Sequence, residues 1–192
     1  QYWPTENWKA EGKDKYNEFY TREYEEQINT YVVPATVKTI GELAFNYSEL
    51  FTLYLPEGLE RLETLAIFRN WHIERVDTYT GEVAEGAVPA QEQIKPSLPD
   101  SLTYIGSDCF NSAIEMDYIF IPANVTYIGH HAFWGAARKE KGELIGLYEI
   151  HAALDEDAFK AQVETGDQWT GQYDNGLFPK NVPVLYGEAR AE

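Results

Sequence analysis

The stretch "IPANVTYIGHHAF" at Ile121–Phe133 repeats the phrase "LPDSLTYIGSDCF" at Leu98–Phe110, with Pro, Ile-Gly and Phe in the same places. The phrase also occurs as "VPATVKTIGELAF" at 33–45, as "LPEGLERLETLAIF" at 55–68, and in a weaker form that ends in "DEDAF" at 155–159. Pro34 and Pro56 lie 22 positions apart, and Pro99 and Pro122 lie 23 positions apart. A period of this length predicts a solenoid, because so short a unit cannot bury its own apolar face and must stack on the next.

Each copy predicts one strand followed by one turn. The runs Leu50–Leu55 and Met116–Ile121 end in alternating apolar positions, which is the pattern of a strand with one buried face. The following proline ends the strand because it has no N–H to donate. The Ile-Gly pair gives a turn that tolerates a positive φ, and the small residue and Phe after it are expected in the interior, with Phe45, Phe110 and Phe133 as ladder residues. The second copy, aligned on Phe68, has one extra residue and lacks the Gly.

The repeated unit resembles that of the BspA-like leucine-rich-repeat family, which reads roughly L-x-x-I-x-I-P-x-x-V-x-x-I-G-x-x-A-F. The resemblance covers about residues 28–159. It implies an α/β leucine-rich-repeat solenoid with short parallel strands, one per coil, and irregular or helical return segments. It also implies an extracytoplasmic protein, on the cell surface or secreted, of a host-associated bacterium. Adhesion to host or neighbouring-cell proteins is the role that the family suggests, and the family supplies no catalytic residues.

Residues 1–30 differ from the repeats and are predicted to form an N-terminal cap. A solenoid needs such a cover at its open end. In this segment four aromatic residues fall at helical spacing, which predicts an amphipathic helix: Tyr16, Phe19, Tyr20 and Tyr24. Alternatively, this segment is a helix that binds a partner, or it is part of a preceding domain. Residues 31–192 are then the solenoid.

Two insertions and a closing strand complete the predicted architecture. The insertions lie near 79–93 and 137–143 and are expected to be exposed loops. Thr80-Gly81 predicts a short hairpin in the first insertion, and a run of charges in the second predicts a solvated segment. Val182–Tyr186 is predicted to be the closing C-terminal strand.

The composition limits the classes of partner. The formal net charge is −17, so the chain would repel nucleic-acid phosphates and anionic lipid headgroups, and neither nucleic acid nor direct membrane insertion is expected. Cys109 is the single cysteine and cannot form an internal disulfide. It stands where other copies have Ala and is therefore interpreted as a small core residue. The oligomeric state stays open.

Metal, cofactor and catalytic sites are not predicted. His130-His131 point in different directions in a turn, and no nearby His or Cys completes a tetrahedral zinc set. Asp155–Asp157 lack the spacing of a calcium loop and predict a solvated turn. No nucleophile elbow, phosphate-binding loop or dinucleotide-binding motif is present in the sequence.

The predicted ligand site is a strip on the strand face. Since Leu53, Leu55, Ile119 and Ile121 are expected to point inward, the residues between them point outward. The strip consists of Thr52, Tyr54, Tyr118, Phe120, Glu149 and His151. Exposed aromatic rings there would supply rigid contact area for a protein or glycan ligand, including one from a host. The alternatives are that an inserted hairpin or a second subunit covers the rings, that the chain is a structural spacer without a ligand, or that it is a glycan-active enzyme.

Overall fold

The structure is a computed structural model. It describes residues 29–84, 86–89, 96–113, 115–140, 143–147, 149–165, 177–179 and 182–190. The predicted cap helix, with Tyr16, Phe19, Tyr20 and Tyr24, lies outside these residues. The helical cap and the domain boundary near residue 30 therefore stay predictions.

Short strands dominate the described part of the chain. They are β1 (Thr30–Val32), β2 (Thr39–Ile40), β3 (Thr52–Pro56), β4 (Arg61–Leu62), β5 (Arg75–Tyr79), β6 (Tyr104–Ile105), β7 (Tyr118–Ile121), β8 (Tyr127–Ile128), β9 (Ala137–Glu140), β10 (Glu143–Gly146), β11 (Glu149–Ala152), β12 (Glu164–Thr165) and β13 (Val184–Tyr186). Helix α1 spans Glu156–Gln162.

The strands form a parallel solenoid, as predicted. On one side, which we call the front face, β1-β3-β5 and β7-β11-β13 form two parallel three-stranded sheets. The two sheets are linked where Leu98 N donates to Phe120 O at 3.2 Å. On a second side, β2, β4, β6, β8 and β12 form one parallel five-stranded sheet. Five coils thus contribute one strand to each face, so the prediction of one strand per coil is wrong. The closing strand β13 adds a sixth strand to the front face.

The third side of the coils is built from turns, and we call it the turn side (residues 43–47, 65–69, 108–112 and 131–135). Neighbouring coils are joined there by backbone hydrogen bonds, such as Phe45 N to Ala66 O and Phe110 N to Ala132 O. Left-handed backbone recurs at two equivalent positions of each coil: Leu43 and Tyr47, Leu65 and Arg69, Asp108 and Ser112, His131 and Gly135. A positive φ is uncommon outside glycine, so its recurrence in register shows that coil stacking imposes this path on each coil.

The tolerance for a positive φ at Ile-Gly is not used, because Gly106 and Gly129 do not have left-handed backbone. Their role is close approach between coils. A Cβ at Gly129 would come closer than 3.0 Å to the backbone of Ser107, and one at Gly106 equally close to the backbone of Glu63. Only glycine allows the coils to stack at this point without displacement.

The interior contains a ladder of equivalent residues. Phe110 and Phe133 are fully buried, and their rings stack with centroids 5.2 Å apart and planes 2° apart. The alignment of the second copy on Phe68 is wrong: Ile67 is fully buried and donates to Cys109 O as the ladder residue, whereas Phe68 is only half-buried. No extra residue is needed in that copy. Phe45, also expected in the interior, packs against the core but is only half-buried.

The two insertions differ from their predictions. In the first, the described residues 80–84 and 86–89 are mainly exposed, as expected, but form no strand, so a hairpin there is not found. In the second, a loop was expected, but β9 and β10 pair antiparallel from Ala137↔Gly146 to Glu140↔Glu143. Strand pairing satisfies the backbone groups of this charged segment, which a plain loop would leave to water.

The fifth copy contains a helix where a turn was predicted. Asp155 caps α1, and its carboxylate accepts from Ala158 N at 2.9 Å. Asp and Glu in the first turn suit the positive end of a helix, so the acidic run starts the helix. Phe159 of α1 is buried in the core.

The two Ile-Gly glycines at opposite ends of the repeat array should respond differently to alanine. Gly129→Ala should lower the free energy of unfolding by about 1 to 3 kcal/mol, because the backbone of the previous coil must move. Gly41→Ala should leave it unchanged or raise it by less than about 1 kcal/mol, since no described atom lies within 4 Å of its Cβ position. Urea denaturation of both variants measures the difference. Equal effects would contradict the close approach of coils at Gly129.

Candidate functional site

The front face brings some of the predicted strip residues together. The register pairs Tyr118 with Glu149 and Phe120 with His151, so these four lie on adjoining strands β7 and β11. Thr52 and Tyr54 lie on β3, whose partner in the same sheet is β5. The strip is therefore two groups on two sheets.

The expected exposure of the aromatic rings is wrong. Tyr54, Tyr118 and Phe120 are only 7%, 6% and 3% exposed, respectively, and Thr52 is half-buried. Their outward direction follows from the strand alternation, but residues distant in the sequence cover them. A ligand-binding role for the strip stays a prediction, and in this structure the rings offer little surface to a ligand.

Tyr54 lies beside an ion pair on the neighbouring strand. Its register partner Asp77 is fully buried and accepts from Arg75 Nε at 2.9 Å and Nη2 at 2.8 Å. Burial raises the pKa of the Tyr54 hydroxyl, and the Asp77 charge adds to the rise while Arg75 opposes it.

Phe120 is covered by Arg190 in the C-terminal tail. The guanidinium carbon lies 5.8 Å from the centroid of the ring. The same guanidinium donates to Glu57 Oε1 at 2.8 Å, to Asp100 Oδ1 at 2.7 Å and to Leu98 O at 2.6 Å. One side chain thus connects the tail to the coils on both sides of the junction between the two front sheets.

The polar end of the strip is also partly enclosed. His151 is 9% exposed, and its ring lies 4.7 Å from that of Tyr118. Glu149 Oε2 lies 3.1 Å from His151 Nε2, and Glu188 Oε2 lies 3.8 Å from Nδ1. Burial raises the pKa of the Tyr118 hydroxyl, and Glu149 and Glu188 raise it further.

The five-stranded sheet carries aromatic residues that remain accessible. At its outward positions Arg61, Tyr104 and Tyr127 stand side by side on β4, β6 and β8, and we call them the tyrosine column. The tyrosine rings stack with centroids 4.7 Å apart and planes 7° apart. The Arg61 guanidinium carbon lies 3.8 Å from the centroid of Tyr104. Both tyrosines are half-exposed.

The tyrosine column is held rigidly from both sides. Glu63 accepts from Arg61 Nε at 2.7 Å and fixes the guanidinium over the ring. Beside the column, Thr103 Oγ1 donates to Glu60 O at 3.1 Å. Burial raises the pKa of the Tyr104 hydroxyl, and the neighbouring Tyr127 and Glu63 add to the rise while Arg61 lowers it. The Tyr104 phenol therefore stays a neutral hydrogen-bonding group at physiological pH.

Sequence reasoning missed the tyrosine column, although the sequence contains a signal for it. Two copies read T-Y-I-G, with Tyr104 and Tyr127 immediately before an Ile. Since Ile105 and Ile128 fill the core, alternation directs the tyrosines outward. The short strands at this position give a weaker pattern than the longer strands of the front face.

No metal centre is found among the described residues, which contain no group of three His, Cys, Asp or Glu side chains that could hold an ion. The His130 and His131 rings lie 3.6 Å apart, and His131 is next to Trp134. Cys109 is fully buried, and burial raises the pKa of its thiol far above the ordinary value. This environment suits the core residue that the sequence predicts and not a reactive thiolate.

Stacked coils whose short strands pair in parallel, with a repeated interior ladder, define the class of leucine-rich-repeat solenoids. The chain belongs to the BspA-type leucine-rich-repeat family: the family model for that repeat region matches residues 16–140 and 82–160 in six copies. No protein among the curated proteins matches the chain. In the described part of the chain, no helix has the length and apolar character to cross a membrane.

Replacing Arg190 should loosen the cover of the front face. Arg190→Ala removes charge-assisted hydrogen bonds to Glu57 and Asp100 and should lower the free energy of unfolding by about 1 to 3 kcal/mol. Lys160→Ala removes the exposed pair with Glu156 and is the control, expected to match the parent within error. Chemical denaturation compares the three proteins. An Arg190 variant as stable as the control would contradict the clamp.

Proposed function

We propose that this chain is a non-catalytic binding module of an extracytoplasmic bacterial protein, which docks a protein or glycan ligand on the five-stranded sheet. Membership of the BspA-type family supports the surface location and the binding role. The observation that carries the proposal is the tyrosine column, because it places half-exposed aromatic rings at the outward positions of a regular sheet.

The tyrosine column has the physical properties of a recognition surface. Tyrosine supplies large contact area and a hydroxyl with few rotatable bonds, which is why it is enriched where proteins bind ligands. The stack and the Arg61–Glu63 pair already hold these rings, so binding costs little additional side-chain entropy. A purely structural spacer has no need for aromatic side chains in water at these positions.

The tyrosine column also determines how a ligand would approach. The rings lie face to face, so Tyr104 presents its edge and hydroxyl to solvent while its faces contact Arg61 and Tyr127. A flat partner that offers hydrogen-bond acceptors to the hydroxyls and apolar groups to the ring edges fits this arrangement. Thr39 and Glu164, at the two ends of the same outward row, are exposed and extend the surface with polar groups.

The direct test is the double variant Tyr104→Ala with Tyr127→Ala, assayed on a glycan array and on a panel of immobilised host matrix proteins. Loss of at least tenfold in affinity for whichever probe the parent binds is expected, since two central aromatic residues are removed. Tyr104→Phe with Tyr127→Phe keeps the stack and separates the contribution of the hydroxyls. Val88→Ala, an exposed residue of the first insertion, is the surface control.

Thermal melting first confirms that each variant is folded. Unchanged binding by a folded double-alanine variant would place the site elsewhere. A parent that binds none of the probes would favour the spacer function.

A further inference from the structure

Arg69 differs from the other cations whose side chains the structure describes. Five others each lie within 3.4 Å of a carboxylate oxygen: Lys38–Glu60, Arg61–Glu63, Arg75–Asp77, Lys160–Glu156 and Arg190–Glu57. Arg69 has no carboxylate partner in the described part of the chain, although the formal net charge is −17. An unpaired guanidinium in so acidic a protein is a site of positive potential that a ligand anion could occupy.

Aromatic rings surround this guanidinium on the turn side. Its carbon lies 4.9 Å from the ring centroid of Phe68 and 5.3 Å from that of Tyr47. Tyr47 stands nearly perpendicular to Phe68, at 6.2 Å and 88°, and to Trp71, at 6.0 Å and 79°. We call Tyr47, Phe68, Arg69 and Trp71 the turn-side cluster. It joins the first and second coils.

The backbone directs this cluster into solvent. Tyr47 and Arg69 occupy the same left-handed position of successive coils, with φ of 54° and 55°. The third and fourth coils have Ser112 and Gly135 at this position, so the combination of ring and cation occurs only in the first two of these four coils. Tyr47 is 45% exposed and Arg69 is exposed.

Most of the donors of Arg69 are available to a ligand. One guanidinium nitrogen, Nη1, donates to the Tyr47 hydroxyl. A guanidinium has five N–H donors, and those of Arg69 have no other acceptor among the described residues. The guanidinium presents its remaining donors as a planar fork, which matches the geometry of a carboxylate.

We propose that the turn-side cluster binds a carboxylate-bearing sugar, a uronate or sialate residue of an acidic glycan. The carboxylate pairs with Arg69, and the apolar C–H face of the pyranose packs on the neighbouring aromatic rings, whose faces are electron-rich. An acidic sugar carries the carboxylate and the apolar C–H face on one rigid ring. This arrangement matches a guanidinium that lies beside two mutually perpendicular aromatic rings.

An acidic peptide fits the cluster less well. Asp and Glu present their carboxylates on flexible polar chains and would use the cation but leave the rings without a partner. A densely charged polymer is also repelled by the net charge of −17, whereas a single carboxylate needs only the local guanidinium. The proposal names a ligand class within the proposed binding function, but on a different side of the coils from the tyrosine column.

Calorimetric titration with sialyllactose, with lactose and with trigalacturonate tests the ligand class. The parent should bind at least one of the two acidic sugars and should bind lactose at least tenfold more weakly than sialyllactose if sialate is the ligand. Arg69→Gln should weaken binding by about ten- to a hundredfold, the range for a charge-assisted hydrogen bond. Arg69→Lys keeps the charge but loses the fork and should fall between the parent and Arg69→Gln.

The matched control is Lys38→Gln, which removes one positive charge from the first coil on another surface and should bind like the parent. The double-alanine variant of the tyrosine column should also bind these sugars like the parent, so the failure of one site is distinguishable from the failure of the other. Should Arg69→Gln not fold, Arg69→Lys titrated with whichever acidic sugar the parent binds still decides.

Three outcomes would overturn the proposal: no binding of either acidic sugar by the parent, equal affinities with and without Arg69, or a hexaglutamate peptide bound as tightly as the sugars in an Arg69-dependent manner. The last outcome would make the site a receptor for acidic peptides.

Discussion

The structure depends on the stacking of equivalent residues in neighbouring coils. Phe110 on Phe133, Ile105 beside Ile128 and the close approach of Gly129 to the previous coil all require the backbone to follow the same path in each turn of the solenoid. Because parallel strands exchange hydrogen bonds only with neighbouring coils, a coil that departs from this path loses partners on both sides. On the turn side, seven of the eight repeated left-handed positions are occupied by residues other than glycine. The stacking constraint therefore outweighs the local backbone preference of these residues.

The same constraint explains where sequence reasoning succeeds. The period, the strand direction and the buried state of Phe110 and Phe133 follow from the pattern, because a repeated unit must repeat its interior. The alignment of the second copy on Phe68 failed because it matched identical residue types. The structure instead conserves the number of residues between the proline and the ladder residue, and Ile67 lies at that distance. The glycine of Ile-Gly was correctly marked as special but for the wrong reason, since contact between coils is not visible in one copy alone.

The candidate sites were harder to predict, since their accessibility depends on contacts between distant parts of the chain. Tyr118 and Phe120 point outward as the alternation requires, yet Arg190 and the paired acidic groups enclose that face. The sequence around β7 does not indicate that Arg190, seventy residues later, lies over Phe120. On the other two sides of the coils, Tyr104 and Tyr127 of the tyrosine column are half-exposed, and Tyr47 and Arg69 of the turn-side cluster are exposed. A solenoid therefore has several sides on which outward residues can bind a ligand. The segments outside the repeats determine which of these sides is accessible.

A double-mutant cycle on Phe110 and Phe133 tests the stacking of coils most directly. Each residue is replaced by Leu singly and together, and the free energies of unfolding are compared. The stacked rings predict an interaction energy of about 0.5 to 1.5 kcal/mol, whereas Phe45 with Phe133, three coils apart, should be additive. Additivity of Phe110 and Phe133 to within about 0.3 kcal/mol would contradict the proposed register of the coils.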